Sequence, residues 1–286
     1  MRQCDLGSSS MAEIVRGAGA SAVGNPIVLA TGDSDSSAPS EAMPEARAIL
    51  DSPKILHWYS QNYDGVPAGG RISPLPIGND FHTISEKPFW GMGVSSPREQ
   101  ERLLNSTAAA LRPRKERIPR IYVDFAWQGA YATRPLPGAK IASNRGEIVQ
   151  MLLRSKQCFF QSNPLPRLDL WRKMGEYAFV FSPHGNGLDC HRTWEALSLG
   201  HIVIAPSSSL DSLYTGLPVV CVDRFDDITD EKLDHWLREF EGVAGDHKKL
   251  TSRYWSDRMR SRAQADETAG KVLHRFDIGG ICVGSA

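Results

Sequence analysis

"FSPHGNGLDCHRTWEALSLGHIVIA", residues 181–205, decides how the rest of the chain is read. An apolar run ends at Ser182 and Pro183. A turn punctuated by Gly185 and Gly187 follows, then a helix-patterned stretch and a second apolar run from His201 to Ala205. Strand, turn, helix and strand in that order are the repeating unit of a parallel sheet covered by helices on both faces. The spacing predicts a helix over residues 188–199, with the glycine turn at the carboxyl edge of the sheet. Three chemistries fit the arrangement: a nucleotide cradle, a thiol site at Cys190 and His191, or a folding unit that binds nothing.

At 100° per residue, Cys190, Thr193, Trp194 and Leu197 share one arc of this helix, while His191, Arg192, Glu195 and Leu199 share another. The first arc belongs to a core, which makes Cys190 an inert buried thiol and works against a thiol enzyme. On the second, Arg192 lies in the first turn, where unpaired amides and partial positive charge favour a phosphate. Glu195, one turn later, is placed to accept from ribose hydroxyls. Alternatively Arg192 and Glu195, at i and i+3, pair with each other on a solvated face. A nicotinamide enzyme fits poorly: Gly185-Asn186-Gly187 continues as G-x-G-x-x-C, and the next strand ends in Ala-Pro-Ser-Ser-Ser where a ribose-binding acid belongs. Ser207, Ser208 and Ser209 precede "LDSLY", a short helix that a serine can cap or whose amides meet the same phosphates.

Working outward, "RIYVDFAW" (120–127), the strand before Ser182, "HIVIAP" and "LPVVCVD" are short apolar runs separated by helical patterns. One of these patterns, starting near residue 145, has Ser143 or Asn144 as its cap. The fold class that follows is α/β, a Rossmann-like parallel sheet with helices on both faces. Upstream, "KILHWYSQNYDG" reads as a strand and turn, "RISPLPIGNDFHTI" as a proline-bearing connector, and residues 97–117 as an amphipathic helix with a basic end. Residues 1–52 are rich in Gly, Ala, Ser and Pro and are expected to be a disordered low-complexity tail. The Asp33-Ser34-Asp35 triplet there has the D-x-D form of some metal sites but lies in a serine run, not at a strand end.

Among 286 residues, 33 Lys plus Arg balance 33 Asp plus Glu, which gives no electrostatic reason to expect nucleic acid or an acidic membrane surface as a partner. The 5 cysteines are scattered without C-x-x-C spacing, so zinc ligation by thiolates has no support and no metal is expected. No stretch approaches the ~20 apolar residues of a membrane span.

"SPHGNGLDCHRTWEALSLGHIVIAPSSSLDSLYTGLPVVCVD" resembles the C-terminal nucleotide-sugar-binding region of exostosin-like glycosyltransferases, with their SP-x-G-N-G-x-D-C-H-R-x-W-E-A-L-x-L-G signature. "LPIGNDFHT" is similar to the interdomain connector of two-domain GT-B enzymes, and "RIYVDF" to the first strand of their second domain. Where many relatives read G-C-I-P after the helix, this chain has Gly200-His201-Ile202-Val203. The resemblance implies a GT-B type C-terminal domain over residues 118–250. Residues 53–117 would be a truncated N-terminal acceptor lobe and connector, and 251–286 a C-terminal helix and tail. It implies transfer of a sugar from a nucleotide-diphosphate donor to a glycan, protein or lipid acceptor, with the donor as substrate, no cofactor and no obligatory metal. An inactive relative or a donor-binding module is the alternative. Donor contacts would come from Gly185, Asn186, Gly187, Arg192, Glu195, Ser208 and Ser209, and a catalytic base would be sought at Asp80 or His82, with His57 as a third candidate. Relatives of this kind work in the Golgi; the lack of an anchor in the sequence as written fits a cytoplasmic protein or an incomplete chain.

Overall fold

The computed structural model describes residues 27–32, 34–42, 45–126, 135–141, 144–242 and 247–267. Two parallel sheets organise them. The larger contains β4 (Ile118–Val123), β5 (Cys158–Phe160), β6 (Tyr177–Phe181), β7 (Ile202–Pro206) and β8 (Val219–Val222), in the spatial order β5-β4-β6-β7-β8. The smaller has β1 (Ile27–Thr31), β2 (Ile55–Ser60) and β3 (Ile72–Pro74) in sequential order. All neighbouring strands pair in parallel.

The larger sheet is buried on both faces because its strands alternate large apolar groups between two cores. Tyr122, Val180 and Val203 point to one face, where they pack with Trp171 and Met174 of α5 (Arg167–Met174) and Trp194 and Leu197 of α6 (His191–Ser198). Ile121, Val123, Phe179, Phe181, Ile202 and Ile204 point to the other, against Ile148, Val149 and Leu152 of α4 (Arg145–Leu153) and Leu233 of α7 (Asp230–Glu239). This is the doubly covered Rossmann-like sheet expected from the sequence. Asn144 caps α4 as expected, accepting from the amides of Gly146 and Glu147; Ser143 lies outside the described residues.

The domain boundaries differ from expectation at two places. Residues 27–51 are not a featureless tail: β1 pairs with β2, and α1 (Glu45–Asp51) follows it. Leu29, Ala46, Ile49, Ile55, Trp58 and Ile72 share a small buried core. The run Ile27-Val28-Leu29-Ala30 is too short to stand out against the serines and glycines around it, and only pairing with β2 reveals it. Asp33 lies outside the described residues, so the D-x-D triplet has no geometry to report. Residues 53–117 are also divided. β2 and β3 belong to the small sheet, while α3 (Pro97–Ala110) places Leu104 in the core of the large one. The helix expected over 97–117 starts with a capping box of Ser96 and Glu99 but stops at Ala110, because Pro113 disfavours helical backbone in the residue before it. A 3-10 turn at Arg114–Glu116 follows. At the C-terminal end, α8 (Ser252–Glu267) packs back against β1 and β2.

His201, one of the positions read as a departure from the resembled signature, is an interior position. Its ring is fully buried, Nδ1 donates to the Tyr177 carbonyl at 3.0 Å, and burial followed by the neighbouring Arg117 guanidinium pushes its pKa well below the usual histidine value. Above about pH 6.5 the ring is neutral in both folded and unfolded chains. Below that, only the unfolded chain takes up the proton, so stability falls toward acid by up to about 1.4 kcal/mol per pH unit. His201→Gln removes this contribution. In urea unfolding, the stability gap between the variant and the unsubstituted protein should shrink by roughly 2 kcal/mol between pH 7 and pH 5. A constant gap would mean that the folded ring takes up the proton as readily as the unfolded one.

Among the described residues no helix is long and apolar enough to cross a membrane.

Candidate functional site

In the large sheet the strand order reverses between β4 and β6: the chain leaves β4 toward β5 on one side and β6 toward β7 on the other. In open α/β sheets, ligands bind in the crevice that this reversal opens at the carboxyl ends of the strands. Asp124 follows β4 there, and the turn from Ser182 to Cys190 follows β6 and leads into α6. Arg192, in the first turn of α6, donates from Nε to Asp124 Oδ1 at 2.8 Å. The Arg192 side chain is 25% exposed and that of Asp124 8%. Burial works against the guanidinium charge, but Asp124 outweighs it and keeps the Arg192 pKa raised. The arginine is therefore held rigidly at the crevice instead of ranging over a solvated face.

Beside it lies a second guanidinium that the sequence did not single out. Arg145, at the start of α4, is buried; it donates from Nε to the His184 carbonyl at 2.7 Å and from Nη1 to the Ala126 carbonyl at 2.8 Å. Its Nη2 lies 3.4 Å from where a Cβ on Gly185 would stand. Both guanidinium groups act on the Cys190 thiol, whose pKa is nonetheless raised because burial dominates. Cys190 is thus a poor nucleophile, in line with the inert thiol expected. These two guanidinium groups face the carboxylates of Asp124 and of Asp189, which accepts from the Cys190 amide, so the side-chain charges balance around the N-terminus of the eight-residue α6, where the helix itself adds partial positive charge.

The other expected donor contacts are distributed differently. α6 begins at His191 and not at residue 188, because Asp189 is engaged elsewhere. Its buried carboxylate accepts from the Ile77 amide at 2.8 Å, from the Cys190 amide and from Trp194 Nε1 at 2.9 Å, while its own amide donates to Asn62 Oδ1 at 2.8 Å. Gly185 and Gly187 close the turn through a Gly185 amide to Gly187 carbonyl bond of 2.9 Å, and Asn186 is half-buried at its tip. A Cβ on Gly187 would stand 2.5 Å from Asn62 Nδ2, so that glycine is required by the close approach of the small sheet's Asn62. Ser208 and Ser209 spend their groups internally. The Ser208 amide donates to Asp211 Oδ1 and its Oγ accepts from the Leu210 amide. The Ser209 amide donates to the Gly138 carbonyl, and its Oγ donates to the Tyr63 carbonyl at 2.6 Å. The serine run serves the turn and the junction with the small sheet.

Glu195 pairs neither with Arg192 nor with an open face. It forms an ion pair with Arg167 of α5 and accepts from Trp171 Nε1. Arg167 is buried, its guanidinium lies 4.9 Å from the Trp90 ring and 5.0 Å from the Trp171 ring, and its Nη2 also donates to the Asp80 carbonyl at 2.9 Å. This cluster abuts residues 75–81, the connector between β3 and α2 (His82–Glu86).

Asp80, one residue before the N-cap of α2, accepts from the Thr83 amide at 3.0 Å and the Thr83 hydroxyl at 2.9 Å, and it lies 3.0 Å from His82 Nδ1. Burial would raise its pKa. The bonds from His82 and Thr83 and the neighbouring histidines outweigh that and hold it far below the ordinary value, which leaves Asp80 a very weak base. His57 is buried within β2 and contacts Ser73 Oγ at 2.8 Å, a position inside the small sheet. His191 Nδ1 donates to the Gly78 carbonyl at 2.7 Å, which brings the first turn of α6 against the connector.

Asp124 had a legible signal: a charged residue directly after the apolar run "IYV" sits where a buried strand ends at the ligand edge. Arg145 and Arg167 had none, since each reads locally as an ordinary polar residue opening a helix. No protein-family model matches the chain, and no curated protein matches it.

Proposed function

We propose that the chain binds the diphosphate of a nucleotide sugar at the β4/β6 switch point and transfers the sugar to an acceptor, as the resemblance to exostosin-like glycosyltransferases implies. The observation that carries this reading is the pair of fixed guanidinium groups, Arg145 and Arg192, at the N-terminus of α6. Departure of a nucleoside diphosphate develops negative charge, and preorganised cationic donors stabilise it without a divalent ion at the phosphates. Arg192 makes the contact, since it is the more exposed of the two. Arg145 braces the Gly185 turn and contributes its charge from beneath.

A second reading, a donor-binding module without transfer, is favoured by the junction between the sheets. Asn62 fills the space against Gly187, and Ser209 is bonded to Tyr63, so part of the turn assigned to the donor is occupied by the small sheet. Asp80 is too acidic to serve as the base, and a GT-B enzyme draws its base from the acceptor lobe.

Thermal denaturation with UDP, GDP, their sugar conjugates and inorganic pyrophosphate tests the proposal. A specific donor at a hundred times its Kd stabilises the fold by about 2.7 kcal/mol and raises Tm. Release of nucleoside diphosphate in the presence of glycan acceptors then separates transferase from module. If no nucleotide shifts Tm, both readings fall.

A further inference from the structure

Asp80, His82 and His191 each offer a ligand atom, and these atoms all lie within 4.8 Å of one another. We propose that this cluster binds a divalent transition-metal ion of the zinc class, tying the connector to the first turn of α6. The proposal rests on the geometry of these three side chains and does not depend on the nucleotide reading.

The donor set, two imidazoles and one carboxylate, suits zinc and its neighbours, whereas calcium and magnesium take oxygen ligands. The orientation of His191 is the strongest structural support. Because the Gly78 carbonyl can only accept, His191 Nδ1 carries the proton and Nε2 keeps its lone pair, the arrangement by which a backbone carbonyl fixes the tautomer of a metal-binding histidine. Asp80 is anchored in the same manner by Thr83. Asp80 Oδ1 and His82 Nδ1 are 3.0 Å apart, joined by a hydrogen bond in which Nδ1 donates; a metal ion takes the place of that proton, and the spacing is close to the ~3.4 Å edge of a tetrahedron with bonds of about 2.1 Å. The remaining adjustment falls on His82, whose side chain is 47% exposed and can turn without disturbing a core. Local charge favours a cation: Arg167 pairs with Glu195 and meets Asp80 only at its backbone carbonyl, so the Asp80 carboxylate has no guanidinium partner of its own among the described residues. Three protein ligands leave a coordination position for water.

The full chain, stripped with chelator and dialysed, is titrated with Co2+ as a spectroscopic substitute for Zn2+. The expected result is a saturable, intense visible absorption of four-coordinate cobalt that Zn2+ abolishes by displacement. His82→Ala and His191→Ala should each eliminate the band, and His235→Ala, which alters an exposed histidine on α7, should leave it intact. Because His191→Ala also removes the bond to Gly78, circular dichroism establishes that the variant is folded. His82→Ala, at a more exposed ring, makes the test independent of that point. Absence of the band in the unsubstituted protein, or its survival in either folded variant, overturns the site.

Discussion

Replacing Arg192 with alanine should weaken UDP or GDP binding about tenfold to a hundredfold, because a hydrogen bond between charged groups contributes about 1.5–3 kcal/mol. Titration calorimetry measures this directly. The same substitution should lower stability by about 1–3 kcal/mol, since it leaves the Asp124 carboxylate, 8% exposed, without its partner. An arginine on a solvated face, the alternative the sequence left open, would show no such effect. Arg192→Lys separates the roles: it restores charge to Asp124 but not the planar fork that grips a diphosphate. If Arg192→Ala loses stability while its nucleotide affinity is undiminished, the residue is a strut between β4 and α6 and the donor site lies elsewhere.

Arg167→Ala should destabilise the protein more than Arg192→Ala does, by about 3–5 kcal/mol, because it leaves Glu195 as an uncompensated carboxylate in a site where Arg167 is only 4% exposed. It also removes the cation from between Trp90 and Trp171. Urea unfolding gives the value, and a double-mutant cycle with Glu195→Gln gives the coupling between the two side chains. A loss below about 1 kcal/mol would place the pair among solvent-screened surface bridges. The same experiment decides the role of Glu195. A ribose contact predicts that Glu195→Gln loses nucleotide affinity with stability preserved; the ion pair with Arg167 predicts lost stability and little change in affinity.

Most of the larger sheet was legible because its strands carry the apolar density that burial on both faces demands, and because asparagine and glycine mark where helices and turns begin. β6 and α6 could be placed from "AFVFSP" and "HRTWEAL" alone. The small sheet was half legible. β2 announced itself through "ILHWY", whereas β1 is a five-residue apolar run set among glycines and serines, whose stability comes from pairing with a strand more than twenty residues away. The start of α6 was misplaced for a similar reason. Nothing local tells Asp189 to bond the Ile77 amide and Asn62 instead of continuing a helix toward residue 188.

For the site, the sequence by itself determined that a glycine turn and an arginine-bearing helix follow a buried strand, since local hydrogen bonding, backbone freedom and apolar periodicity act over a few residues. Tertiary structure decided which partner each charge takes. Arg192 meets Asp124, Glu195 meets Arg167, and His191 reaches the neighbours Asp80 and His82, each across a separation in sequence that no local pattern encodes. The physical reason is that a buried charge must find its counter-charge wherever the fold brings one within reach, and that choice is made by strand order and helix packing.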